Sequence, residues 1–275
     1  MRRAYKYRLF TNATQERELA TLLETSRRLY NACLEQRKTT YEASKKSVKY
    51  AEQSAWFKSE RLTNPYFARL NFSCAQATMR RLDKAFAAFF RRVKAGQRPG
   101  YPRFKGRDRF DTIEYPSHGD GIRLTGSRLR VQHVGTIRVK VHRPHQGIVK
   151  TVSITHEADK WFVILSCDLG EVAVVPNGLP PLGIDVGLEH FLTTSDSEHV
   201  ANPRLLKQEL PELRRRSRSL SRKTRGGKNR RKARVRVAKL HARVKNLRKE
   251  FHHQTALSLV RRYGLIAVEN LNVSG

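Results

Sequence analysis

Acidic residues are scarce in this chain: 24 Asp plus Glu stand against 56 Lys plus Arg in 275 residues, a formal charge of +32 at pH 7. That deficit excludes a strongly basic partner and selects a polyanion, because neutralising phosphates releases their counterions. Cysteine is scarcer still. Cys33, Cys74 and Cys167 lie far apart and form no CxxC pair, so neither a disulfide framework nor a zinc module is supported, and buried thiols are expected. No segment reaches the roughly 18 apolar residues of a membrane span, and Met1-Arg2-Arg3-Ala4-Tyr5-Lys6 lacks the apolar stretch of a signal peptide. The expectation is a cytoplasmic or nucleoid protein with no membrane partner. What is present, 39% hydrophobic residues with 12 Phe, 9 Tyr and 2 Trp, suffices for a packed core and excludes wholesale disorder.

Residues 2–10 alternate around Tyr5, Tyr7 and Leu9, as in a short strand. Asn12 with Gln15 makes a capping box, and Leu19, Leu22, Leu23, Leu29, Tyr30 and Cys33 follow at helical spacing. A polar stretch around 44–64 separates this helix from a second, Ser73 to Lys94, which Gly96 stops. Leu82, Phe86, Phe89 and Phe90 recur on one face of it, which predicts core packing. The prolines of Arg98-Pro99-Gly100-Tyr101-Pro102-Arg103-Phe104-Lys105 then mark a turn into a new unit. Tyr101 and Phe104, interleaved with Arg103, Lys105, Arg107 and Arg109, suit either structural anchoring or stacking on unpaired bases, as do Tyr5 and Tyr7. Short alternating runs at 122–124, 129–132, 137–142, 149–155 and 161–167 predict a small barrel or meander with Trp161 in its core.

A linker over 170–181 leads to the apolar strand Leu182-Gly183-Ile184-Asp185, with an antiparallel neighbour expected at 190–196. Residues 203–250 hold 20 Lys plus Arg against three Glu, more than half of the chain's excess charge. Val237, Leu240, Val244, Leu247 and Phe251 give a long helix one narrow apolar seam. Gly226-Gly227 divides it from a shorter helix expected to start near Pro211. A run of 17 net positive charges needs a phosphate partner to stay compact, and Arg222, Lys223, Arg225, Lys228, Arg230, Arg231 and Lys232 are the candidate phosphate ligands, with Arg103, Lys105 and Arg107 upstream. His241, His252 and His253 have no partner at metal-ligand spacing and are expected on a helix face. Gly264 ends the long helix before a buried strand, Leu265-Ile266-Ala267-Val268.

Asp185 and Glu269 each end an apolar strand. If the two strands are parallel neighbours joined by the helical crossover, both carboxylates project at one end of the sheet. Paired carboxylates there suit Mg²⁺ or Mn²⁺, hard ions that activate water in phosphodiester cleavage, and Gly187 allows a phosphate backbone to approach.

The run Gln76-Ala77-Thr78-Met79-Arg80-Arg81-Leu82-Asp83-Lys84-Ala85-Phe86, continuing to Gly100-Tyr101-Pro102-Arg103-Phe104-Lys105, resembles the TnpB (OrfB) family of insertion-sequence proteins. So do Gly183-Ile184-Asp185-Val186-Gly187, Lys228-Asn229-Arg230-Arg231-Lys232-Ala233-Arg234 and Val268-Glu269-Asn270-Leu271. The resemblance implies an RNA-guided, Mg²⁺-dependent DNA endonuclease of α+β multidomain fold. A helical recognition unit (11–98) would be inserted in a small β-barrel wedge domain (1–10 and 99–172). A partial RuvC domain of ribonuclease H-like fold (182–275) would follow, with a basic helical insertion at 203–262. Guide RNA and target DNA are the implied partners, and Asp185 and Glu269 match the first two catalytic carboxylates. The family's zinc ribbon and third catalytic Asp have no counterpart in these 275 residues, so weak metal binding and weak or absent cleavage are expected of them alone. The competing expectations are a nuclease-dead RNA-guided DNA-binding repressor and a generic basic RNA-binding protein.

Overall fold

In the strand β1 (Arg2–Phe10), burial alternates as the sequence pattern requires: Tyr5, Tyr7 and Leu9 are at most 3% exposed while the intervening residues face outward. The computed structural model containing it describes residues 1–171 and 178–269. The chain divides into two compact units, Met1–Val172 and Ala173–Gly275.

Helix α1 (Ala13–Ser44) opens with the expected capping box. The Gln15 N–H donates to Asn12 Oδ1 at 2.8 Å and the Asn12 N–H donates to Gln15 Oε1 at 3.1 Å. Two further helices, α2 (Tyr50–Thr63) and α3 (Pro65–Ala68), occupy the stretch expected to be merely polar. On α2 Phe57 is buried, Tyr50 and Trp56 pack partly buried against the core, and a polar contact adds to them. Gln53 is fully buried, accepts from Arg37 Nε at 2.9 Å, and donates to the Cys33 carbonyl at 2.7 Å and Gln36 Oε1 at 3.0 Å. With a glutamine buried among the anchoring positions, the apolar periodicity of this helix is broken. Helix α4 (Phe72–Lys94) follows, and Gly96 adopts φ +65° just beyond its end. On it Leu82 is core and Phe86 is partly buried against the core, whereas Phe90 is 58% exposed, so core packing fails at the far end of that face. Phe86, Phe89 and Phe90 cluster instead with Tyr101.

Six strands complete the first unit: β2 (Thr112–Tyr115), β3 (Ile122–Thr125), β4 (Arg128–Val131), β5 (Gly135–Lys140), β6 (Ile148–Glu157) and β7 (Lys160–Asp168). The expected runs are all present, and β2 is an addition. The sheet order is β2-β6-β7-β1-β5-β4-β3, antiparallel throughout, with β1 at its centre although four helices separate it in sequence from the rest. Among the described residues no ladder joins β2 to β3, so the sheet is a curled half-barrel and not a closed barrel. Its inner face carries Ile113, Leu129, Ile137, Val152, Trp161, Val163 and Leu165 against α1 and α4 residues such as Leu19, Leu29 and Met79.

The second unit holds β8 (Pro181–Asp185), β9 (His190–Thr194), β10 (His199–Ala201), α5 (Leu205–Ser221), α6 (Lys228–Arg262) and β11 (Leu265–Val268) in a sheet of order β10-β9-β8-β11. Strand β9 runs antiparallel to β8, and β11 runs parallel to it, as expected for a helical crossover. The core is small: Leu182, Leu192 and Leu259, flanked by Ile184, Phe191, Val200, Tyr263 and Ile266. Two expectations are corrected. Helix α5 begins at Leu205, placing Pro211 inside it and depriving the Lys207 carbonyl of its helical donor. Strand β11 is not buried: Leu265 is 65% and Val268 62% exposed, because among the described residues it has a neighbour on one edge alone.

Candidate functional site

The parallel ladder between β8 and β11 pairs Leu265 with Pro181, Ile266 with Leu182, Ala267 with Gly183 and Val268 with Ile184. The ladder stops there, one residue short of Asp185 and Glu269, and its register continued by one residue would set the two opposite each other. Asp185 ends β8 and Glu269 directly follows β11, so both carboxylates belong to the C-terminal ends of neighbouring parallel strands, whose backbones lie about 4.8 Å apart. Both residues are exposed. On the other side of Asp185 its partner is Thr193, whose hydroxyl lies 3.1 Å from His199 Nδ1 on β10. Two unblocked carboxylates in register are oxygen donors suited to a hard divalent cation. Among the described residues, no group of three or more His, Cys, Asp or Glu gathers to hold a metal.

The residues just before β11 are tied to acids of the turn between β9 and β10. Arg262 donates to both Glu198 oxygens at 2.9 Å, and the Tyr263 hydroxyl donates to Asp196 at 2.7 Å. Hydrogen bonding from Arg262 holds Glu198 below the ordinary carboxylate range. Next to them the Gly264 N–H donates to the Pro180 carbonyl at 3.0 Å, where the β8–β11 ladder begins.

Between the two strands, α5 and α6 form a basic hairpin. Arg222, Lys223, Arg225 and Lys228 surround its turn, and Arg230, Arg231 and Lys232 follow in the first turns of α6. No acid occupies the first turn of α6, so these cations sit at the positive end of a 35-residue helix, an arrangement that a polyanion relieves. Arg230 stands apart from the others. It is half-buried, and its Nη1 donates to the Leu220 and Lys223 carbonyls at 3.0 and 2.9 Å, closing the end of α5. Arg222, Arg225, Lys228, Arg231 and Lys232 are exposed, and Lys223 is half-buried.

In the first unit, Arg103 and Arg107 are exposed and Lys105 is half-buried. The Lys105 N–H donates to Asn31 Oδ1 at 2.8 Å, and its carbonyl accepts from Arg27 Nη1 at 2.7 Å and Asn31 Nδ2 at 3.0 Å. Arg107 lies 3.9 Å from Glu24, whose carboxylate also takes hydrogen bonds from Arg27 at 2.7 and 2.9 Å and Arg28 at 3.0 Å. Those bonds, Arg27's foremost, pull the Glu24 pKa down to about 2. Tyr5, Tyr7 and Trp161 are buried anchors, while Tyr101 and Phe104 are each 46% exposed. His241, His252 and His253 are exposed on α6, as expected. His252 also stacks on Phe191 of β9, with centroids 5.2 Å apart, a contact that no local spacing in the sequence signals.

Residues 147–275 match the OrfB family of IS605 elements, described as "Probable transposase", and residues 1–46 match its helix-turn-helix domain. A "Putative RNA-guided DNA endonuclease" of Streptomyces pristinaespiralis is 30% identical over 99% of the chain and 68% of its own length. The chain belongs to the TnpB (OrfB) family. InsQ of Escherichia coli K12, described in the same words, is 26% identical over 98% of the chain and 66% of InsQ. This TnpB-family chain thus spans about two thirds of those relatives' length. Its fold is also similar to that of Cas12f1, solved in a complex with guide RNA and target DNA, with a TM-score of 0.52 at 14% identity, covering 94% of this chain and 65% of that one. Within residues 1–46 the TnpB-family chain has a strand and one continuous helix, α1, rather than two helices joined by a turn. Asn270 and Leu271 of the Val268–Leu271 motif lie outside the described residues, as do 172–177 of the expected linker.

Proposed function

We propose that this chain is the nucleic-acid-holding body of an RNA-guided, Mg²⁺-dependent DNA endonuclease, with Asp185 and Glu269 as its metal ligands. The observation that supports this most directly is the parallel β8–β11 register, whose last pair, Val268 with Ile184, directly precedes the two carboxylates. In this reading the curled sheet is a wedge domain, the inserted helices α1–α4 a recognition domain, and 182–275 a RuvC-type domain. A bound Mg²⁺ or Mn²⁺ would supply a nucleophilic water and stabilise the leaving oxygen. Asp185 and Glu269 hold and neutralise the cation. The exposed cations at the hairpin turn hold guide RNA or the RNA–DNA duplex by its phosphates and shape, not by base edges. Because the described residues offer two carboxylates, we expect a polypeptide of these 275 residues alone to bind the metal weakly and cut slowly or not at all.

Mn²⁺ titration followed by electron paramagnetic resonance tests the ligand assignment. Asp185→Asn and Glu269→Gln should each weaken Mn²⁺ binding by about tenfold or more; unchanged affinity in both removes the assignment. Robust double-strand cleavage by the 275-residue polypeptide with guide RNA and Mg²⁺ would overturn the weak-cutting reading. A second reading, an RNA-guided DNA binder that does not cut, draws on the same pair standing without a third acid. It predicts RNA-dependent DNA binding that the two substitutions leave intact.

A further inference from the structure

Beside Asp185, and built wholly from the second unit, lies an open cavity of about 550 Å³ that begins at Val186 and Gly187. That volume is within the range of clefts that take small ligands. One wall is aromatic. Phe191 packs against Phe251 at 4.8 Å and lies nearly parallel to the His252 ring, 25° between planes at 5.2 Å. The other wall carries Arg204 and Lys207 at the start of α5, with Arg248 from α6; no acidic residue lines the space. Val186, Pro203, Leu205, Leu206 and Leu210 complete the lining, so the cavity joins an apolar and aromatic surface, ending in the exposed His252 ring, to three cations, which is chemically matched to a nucleotide, base against the rings and phosphates against the cations.

The cavity mouth is held open by specific bonds. Asn202 Nδ2 donates to the Leu188 carbonyl at 3.2 Å, and Asn202 Oδ1 accepts from the Arg204 N–H at 3.1 Å, so one side chain bridges the β8–β9 loop to the beginning of α5. Arg204 is thereby held in the left-handed region at φ +46°, a conformation that costs a non-glycine residue free energy and that local propensity would avoid. Gly187 completes the floor: a Cβ there would meet the His190 carbonyl oxygen at 3.3 Å.

We infer that this cavity seats one nucleotide of a single DNA strand, with its base extending the His252–Phe191 stack and its phosphates on Arg204, Lys207 and Arg248, so that the adjoining phosphodiester lies at Asp185. The inference rests on the metal-ligand reading of Asp185 for its choice of DNA. A duplex does not fit this chemistry, because paired bases have no free face for the rings.

Photo-crosslinking of the full chain to single-stranded DNA carrying 5-iododeoxyuridine, without divalent metal, tests it, with sites mapped by mass spectrometry. Crosslinks are expected at Phe191, Phe251 or His252. Phe251→Leu and Arg248→Ala should each cut that crosslink about fivefold or more while total strand binding, carried mainly by the hairpin, falls less than twofold. Arg248 sits on an exposed helix face, so its variant reports even if Phe251→Leu perturbs folding, which circular dichroism would reveal. Wild-type crosslinks confined to other sites overturn the proposal. So do crosslinks at these rings from 5-iodouridine RNA but not from DNA. Asp185→Asn should retain the crosslink, so failure of the metal reading and failure of this cavity are separately visible.

Discussion

Glu24 concentrates more charge chemistry than any other single side chain described in the first unit. Its carboxylate is a quarter exposed and joins Arg27 and Arg28 on its own helix to Arg107 from the segment after the proline-rich turn. Because folding lowers its pKa from 4.5 to about 2, its stabilisation is complete above about 4.5 and is lost as the pH falls through about 2. Glu24→Gln should therefore destabilise the protein by roughly 1–2 kcal/mol near neutrality, and urea denaturation should show that deficit shrinking toward pH 2. Burial acts in the opposite direction on the thiols, pushing Cys33 and Cys74 up to about 12. Native protein should resist iodoacetamide at pH 8 at both, and all three cysteines should alkylate in guanidinium; rapid native labelling of Cys33 or Cys74 would contradict their placement.

Helices α5 and α6 separate two kinds of arginine that the sequence presents as one basic run. Arg230→Ala removes the donor to two carbonyls at the end of α5 and should lower the melting temperature of the second unit. Arg225→Ala, at an exposed position in the turn, should leave melting unchanged and reduce the salt slope of RNA binding by about one. Melting curves together with affinities at several salt concentrations check the contrast. At this scale the sequence was most legible where one local rule decides: the Asn12 capping box, the Gly227 start of α6, the alternating strands β3 to β7. It was least legible where the deciding partner is distant. Buried Gln53 anchors α2 through α1. Leu205 and Leu206 start α5 six residues ahead of the proline that looked like its natural first turn. Asp185 and Glu269 were legible because each ends an apolar strand; the aromatic wall of the adjoining cavity was not, because Phe191 meets His252 only after β9 and α6 have packed.

Across the whole molecule the two units differ in how much core they own. The first unites Tyr5, Leu29, Met79, Leu129 and Trp161 among many others in one cluster, whereas the second buries Leu182, Leu192 and Leu259 in a small cluster and Ala233, Leu240 and Val244 along α6. Hydrophobic burial is the main favourable term in folding, so calorimetry should show two transitions with the second unit melting first. Adding guide RNA should raise that lower transition by mass action and move the upper one less. In the same complex, affinity should fall linearly on a log–log plot against salt, since the +32 charge acts through phosphate neutralisation. The central place of β1 has a consequence for biosynthesis. Its two neighbours are β5 and β7, and the last of these ends at Asp168. A ribosome adding about 5–20 residues per second needs roughly 10–30 s to reach that point. The first nine-residue strand, with Tyr5 and Tyr7, has no strand partner until β5 is made, ending at Lys140, and its longer edge stays open until β7 ends at Asp168, so the first unit completes its fold late in translation even though its middle is made first.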